Sequence, residues 1–156
     1  MSTTQKLITL NNGKIMPMLG LGTFGLHNKT MITKTITEVN YRHIDTAAVQ
    51  LNEEAVGDAI IEADKEGVSR DELFVTTKVW QTYTSDPVKS LETSLSKLKM
   101  PYVDMFLVNW PISQVDPSTK TLKRTPMYKI WAAMEKCLEK GMTKAIGVSN
   151  FNVQLI

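Results

Sequence analysis

A single cysteine, Cys137, occurs in the 156 residues, so no internal disulfide can form and a reducing, cytoplasmic setting is expected. Cys137 falls inside a helical pattern, which marks a small packing residue rather than a nucleophile. No charge of one sign dominates either: 18 Lys and Arg stand against 16 Asp and Glu, a formal net charge of +2. The lysines are scattered through helical patterns rather than gathered in a stripe, which argues against a nucleic-acid partner. Long apolar runs are missing as well. The opening residues Met1 to Lys6 lead into alternating residues without an apolar core, so neither a signal peptide nor a membrane span is expected. What is present is a hydrophobic share of 42% with 22% charged residues, the balance of one folded domain over residues 1–156.

The pattern along the chain is strand, helix, strand, helix. Residues 6–17 read as a β-hairpin turning at Asn11-Asn12-Gly13-Lys14, where Asn and Gly tolerate left-handed backbone. Met18 to Phe24 reads as a short apolar strand; its Gly20 and Gly22 do not make a dinucleotide fingerprint, which needs a third glycine opening a helix. A threonine-rich helix over 30–39 precedes a strand over 41–46. From Glu53 the period is helical, with Val56, Ala59, Ile60 and Ala63 on one face and Gly67 at the end. Ser69 to Glu72 has capping-box spacing, and Leu73 to Val79 is a strand rich in β-branched residues. Asp86-Pro87 opens a helix with a Leu91, Leu95, Leu98 stripe. Val103 to Asn109 is the next strand, and residues 112–124 read as loop. A helix from Pro126 turns Met127, Ile130, Trp131, Met134 and Leu138 inward. Lys144 to Val148 is the fifth strand of the series, and Ser149-Asn150 has the chemistry to cap a further helix.

Nearly continuous apolar strands alternating with helices imply a parallel sheet. A doubly wound sheet and part of an eight-unit barrel share that pattern; the hairpin plug and the polar residues at strand ends favour the barrel. In barrels of this kind the chemistry gathers at the C-terminal strand ends, where Asp45, Lys78, Asn109 and Ser149-Asn150 fall. Asp45 and Lys78 form either a functional charge pair or a staple at the barrel mouth. Asn109 either orients a ligand or satisfies backbone groups. Phe74, Thr76, Met105 and Leu107 are candidates for the barrel interior.

The run Tyr41-Arg42-His43-Ile44-Asp45-Thr46-Ala47-Ala48, continuing through Asn52-Glu53-Glu54-Ala55-Val56-Gly57, resembles the signature of the aldo-keto reductases. Leu73 to Trp80, Val103 to Pro111 and Lys144 to Phe151 resemble further signatures of that family, in order. The resemblance implies a (β/α)8 TIM barrel that reduces aldehydes and ketones with NADPH through an Asp, Tyr, Lys and His set. Asp45 and Lys78 match two of the four. The tyrosine position, five residues after the aspartate, holds Gln50, and the histidine position, two before Pro111, holds Asn109. Neither amide transfers a proton at a useful pKa, and loss of a positioned general acid costs about 10²–10⁴ in rate.

By the same resemblance Thr23, Asp45, Ser149 and Asn150 border the cofactor, and Phe24, Trp80 and Trp110 line the substrate pocket; packing at the barrel rim is the other reading of those aromatics. No metal is implied. About five of the eight units fit within the sequence, which stops at Phe151 to Ile156 just as another helix is due. The expectation is therefore an incomplete barrel with a hairpin, lacking the strands that grip the 2′-phosphate of NADPH. Cofactor binding by this chain alone is then expected to be poor, and a small carbonyl substrate to bind only where a complete site forms. Open sheet edges are expected to drive self-association. Two functions follow as expectations: an impaired reductase, or a non-catalytic self-associating or binding protein derived from one.

Overall fold

In a computed structural model, which describes residues 5–111 and 125–154, the chain opens with strands β1 (Leu7–Thr9) and β2 (Ile15–Pro17), paired antiparallel. Gly13 closes their turn at φ +80°, a left-handed value that glycine adopts without steric cost. Its amide donates to the Leu10 carbonyl at 2.9 Å.

Five parallel strands follow: β3 (Leu21–Gly22), β4 (His43–Asp45), β5 (Phe74–Val79), β6 (Met105–Val108) and β7 (Ile146–Val148). They pair in sequence order, β3-β4-β5-β6-β7. Helices α1 (Lys29–Thr37), α2 (Glu53–Lys65), α3 (Pro87–Leu98) and α4 (Met127–Glu139) connect them. An uninterrupted strand order, without the reversal that defines a doubly wound sheet, is the barrel arrangement. The incomplete (β/α)8 expectation therefore holds, with five of the barrel's strands in the described residues.

The pleat divides the sheet chemically. Ile44, Val75, Val79, Phe106 and Val108 are buried in one apolar cluster with Ile32, Ile36, Val56, Ile60, Leu91, Leu98 and Met134 of the helices. Phe74, Thr76, Met105 and Leu107 alternate with them and belong to the other face, the barrel interior. Asp86 caps α3, its Oδ1 accepting from the Lys89 amide at 3.0 Å, with Pro87 at the first helical position. Gly57 lets α2 lie directly on α3: a Cβ there would overlap the Leu98 carbonyl group.

Several expectations change. The strand expected over 18–24 shrinks to Leu21–Gly22, because the chain turns away at once, the Leu26 amide donating to the Thr23 carbonyl at 2.8 Å. On α4, Ile130, Met134 and Cys137 are buried whereas Leu138 is exposed; a stripe running 130, 134, 137 leaves position 138 a further 100° around the helix. Ser149-Asn150 caps no helix within the described residues, which reach Gln154; Asn150 instead adopts φ +61° and turns its amide to the neighbouring strand. The loop expected over 112–124 lies outside the described residues. Among the described residues, no helix is long and apolar enough to cross a membrane.

Candidate active site

Register brings the charged pair together. β4 lies against β5 with Asp45 level with Thr76, so Lys78, two residues on, shares the lumen face one step nearer the strand end. Lys78 Nζ donates to Asp45 Oδ1 at 2.5 Å and to the Thr46 carbonyl at 3.0 Å. The Lys78 side chain is 11% exposed and that of Asp45 34%, so the pair sits at a mouth that solvent reaches from the carboxylate side.

Beyond Asp45 the chain makes a single 3-10 turn, Ala48–Gln50, and Leu51 then takes φ +55° to feed α2. That turn delivers Gln50 onto two threonines. Its Oε1 lies 3.0 Å from the Thr23 hydroxyl and 3.5 Å from that of Thr46. Thr23 Oγ1 is also 3.0 Å from the Asp45 carbonyl. A hydroxyl has one proton to give, so Thr23 shares it between the Asp45 carbonyl and Gln50 Oε1. Thr23 is fully buried, so it acts on the site by fixing Gln50 and the end of β4.

Asn52, which the sequence reading passed over, organises this corner. Its Nδ2 donates to the carbonyls of Thr23 at 2.6 Å and Leu26 at 3.0 Å, and its Oδ1 accepts from Thr46 at 2.9 Å. It stands at the N-cap of α2 but makes no capping bond. Its place before an amphipathic helix points to the wrong job, and its place in the family signature assigns it none.

Across the sheet, Val108 pairs with Val148, which sets Asn109 beside Ser149. Asn150 Nδ2 donates to the Asn109 carbonyl at 2.7 Å and to Ser149 Oγ at 3.2 Å, while the Asn109 amide donates to the Val79 carbonyl at 3.2 Å. Asn109 is buried; Ser149 is half-buried and Asn150 exposed. Phe24 and Trp110 are exposed and Trp80 is half-buried, so none of the three is absorbed by the core.

His43 lies on the same face as Asp45 but deeper. Its Nδ1 sits 3.1 Å from the Pro17 carbonyl and its Nε2 3.1 Å from Thr76 Oγ1, and its ring meets Phe74 edge-on at 5.1 Å. A carbonyl only accepts, so Nδ1 carries the proton and Nε2 accepts from the threonine. Burial, the largest influence, pushes the imidazole pKa below its ordinary value. Both nitrogens are committed to tying the hairpin to the barrel floor, and His43 is no substitute proton donor at the mouth. Among the described residues no group of three or more His, Cys, Asp or Glu is placed to hold a metal.

A parallel sheet in this strand order, with a lysine-carboxylate pair at its C-terminal mouth, defines the class as an α/β barrel scaffold, and likeness to known proteins gives its family. A model of the aldo/keto reductase family matches residues 18–156. Methylglyoxal reductase DkgA of Yersinia pestis is 41% identical over 153 residues, 97% of this chain and 51% of that protein. NADPH-dependent codeinone reductase 1-2 of Papaver somniferum is 41% identical over 163 residues, 94% of this chain and 50% of that protein. An aldo-keto reductase of Bombyx mori, solved in complex with NADP, superposes with a TM-score of 0.89 at 37% identity, over 97% of this chain and 52% of that one. The chain belongs to the aldo/keto reductase family. It spans about half the length of the curated relatives it matches.

Proposed function

We propose that this chain carries the scaffold of an NADPH-dependent aldehyde and ketone reductase whose proton delivery is impaired. The single observation that carries the reading is Gln50: an amide, held by the Thr23 hydroxyl, occupies the corner beside the Lys78–Asp45 pair. Bound NADPH would supply a hydride. The chain's own groups would then have to orient the carbonyl and protonate the developing alkoxide. Asp45, Ser149 and Asn150 are solvent-accessible at the strand ends and have polar atoms suited to a nicotinamide amide. Phe24, Trp80 and Trp110 offer aromatic surface to an apolar carbonyl compound. Gln50 and Asn109 can orient a carbonyl oxygen by hydrogen bonding, but neither titrates. Lys78 carries three N–H donors, and two of them are already engaged by Asp45 and Thr46. A cytoplasmic setting is the one this chemistry and the single buried cysteine suit.

The test is an NADPH fluorescence titration of the purified chain, run beside an assay of aldehyde-dependent NADPH consumption with a nitrobenzaldehyde. The reading expects turnover about 10²–10⁴ below that of a donor-restored form. Brisk consumption by the native sequence, free of contaminating enzyme, would overturn it.

A second reading, self-association, is favoured by the edges of the sheet. Among the described residues β3 and β7 each have one sheet neighbour, and an unpaired row of N–H and C=O groups invites another chain. Sedimentation at micromolar concentration should then give a dimer or larger species; a well-folded monomer would refute this.

A further inference from the structure

The end of β6 carries a polar side chain without a partner. Asn109 lies two residues beyond Leu107 and shares its lumen face. Its backbone is engaged, the amide donating to the Val79 carbonyl at 3.2 Å and the carbonyl accepting from Asn150 at 2.7 Å. Its side-chain amide has no hydrogen-bond partner among the described residues, although the residue is only 9% exposed. Glu53, held through Oε1 by Thr77 at 2.7 Å, and Ser94 also carry unpartnered oxygens, but those atoms are sealed from solvent. Asn109 instead stands at the open end of the barrel, with the half-buried Trp80 and Ser149 on the strands either side.

Two further valences are free at the same mouth. Gln50 follows β4 and Asn109 ends β6, so the two amides flank Lys78 from the strands beside β5. Gln50 Oε1 faces the Thr23 and Thr46 hydroxyls, and its NH2 has no partner among the described residues. Asp45 gives Oδ1 to Lys78; its Oδ2 has no partner among the described residues, and the side chain is 34% exposed.

A nearly buried amide needs an acceptor for its N–H groups and a donor for its oxygen at once. A ketone or a carboxylate only accepts, and leaves Asn109 Oδ1 orphaned. An ammonium only donates, and Lys78 already brings that charge to Asp45. An alcohol meets the side chain at a single atom. A primary carboxamide presents N–H and C=O side by side in one plane, so it can pair with Asn109 through two parallel bonds. Its second N–H is then free for Asp45 Oδ2 and its second lone pair for the Gln50 NH2. An apolar body attached to it has the Trp80 and Trp110 rings to rest on.

We propose that the barrel mouth is a recognition site for an apolar primary carboxamide, paired with the side-chain amide of Asn109. The site rests on the reading that amides stand where a proton donor would, and it deepens that reading. A mouth that cannot deliver a proton still selects a ligand that needs only hydrogen bonds.

The isotopically labelled chain is titrated without nucleotide, once with cyclohexanecarboxamide and once with cyclohexyl methyl ketone, in which a methyl group replaces the NH2. Backbone amide resonances of Lys78, Trp110 and Ser149 report binding. Saturable shifts are expected with the carboxamide, at an affinity at least about tenfold above the ketone's. Asn109→Leu should bring the two ligands to similar affinity, and Asn109→Ala serves the same purpose should leucine prevent folding. Equal affinities in the native chain, shifts that do not saturate, or a preference undiminished without Asn109 would overturn the site. Binding lost in Ser149→Ala but kept without Asn109 would put the carboxamide at the contacts proposed for the nicotinamide, and would overturn it too. Turnover is a separate readout: slow reduction with equal affinities overturns the carboxamide site alone, whereas brisk reduction of a nitrobenzaldehyde overturns the impaired-donor reading.

Discussion

Replacing Asn52 with alanine should loosen the whole corner that carries Gln50. Asn52 is buried and makes three hydrogen bonds, two donated to the Thr23 and Leu26 carbonyls and one accepted from Thr46. Thr23 and Thr46 are themselves fully buried, so water does not readily take the place of the lost amide. At about 1 kcal/mol for each net bond, with added desolvation where a buried partner is orphaned, the loss comes to about 2–4 kcal/mol. The lower end applies if the Thr46 hydroxyl swings to Gln50 Oε1, now 3.5 Å away. For a chain of this size that is a fall in Tm of roughly 4–16 °C. Urea unfolding followed by circular dichroism measures it, provided the m-value is unchanged. Asn52→Asp is the informative partner: it keeps the acceptor for Thr46 but turns a carboxylate toward two carbonyls, and should be no better than alanine. A loss under about 0.5 kcal/mol for alanine, or an aspartate variant as stable as the parent, would refute the reasoning.

Gly57→Ala should cost about 1–3 kcal/mol by forcing α2 away from the Leu98 backbone; an unchanged urea midpoint would contradict the packing. His43 has a pKa lowered by burial, so the unfolded chain binds the proton more readily. Its contribution is complete above about pH 6.5 and is lost as pH falls toward the folded-state pKa. His43→Gln should flatten the loss of stability between pH 7.5 and 5.5, and an identical slope in both proteins would count against a neutral buried imidazole. The Cys137 thiol, pushed up to about 11 by burial, should resist a disulfide reagent at pH 8 until denaturant is added; prompt labelling of the native chain would show that it is accessible.

Much of the fold could be read from periodicity, because the signals were redundant. For α3, the Asp86-Pro87 entry and the spacing of Leu91 and Leu98 point to one helix, and it forms over Pro87–Leu98. β5 is similarly marked by its β-branched run. The errors came where one residue had to choose between local and distant partners. Leu138 looked inward by spacing, but Cys137 completes the buried stripe. Asn150 looked like a cap, but its amide reaches the Asn109 carbonyl on another strand. At the site, Asp45 and Lys78 could be paired from their places at strand ends, since register in a parallel sheet is regular. Asn52 could not be found this way: its partners, Thr23 and Leu26, are 29 and 26 residues away, across a turn that periodicity does not describe. The Glu53–Thr77 bond is hidden for the same reason, as it joins a helix start to the outer face of a strand.

Proton delivery is tested most directly by comparing the native sequence with Gln50→Tyr, Asn109→His in aldehyde-dependent NADPH consumption, both proteins having been shown to bind the nucleotide. A phenol and an imidazole restored at those positions should raise the rate by about 10²–10⁴. Native turnover equal to that of the double variant would contradict the proposal that Gln50 and Asn109 leave the alkoxide without a proton donor.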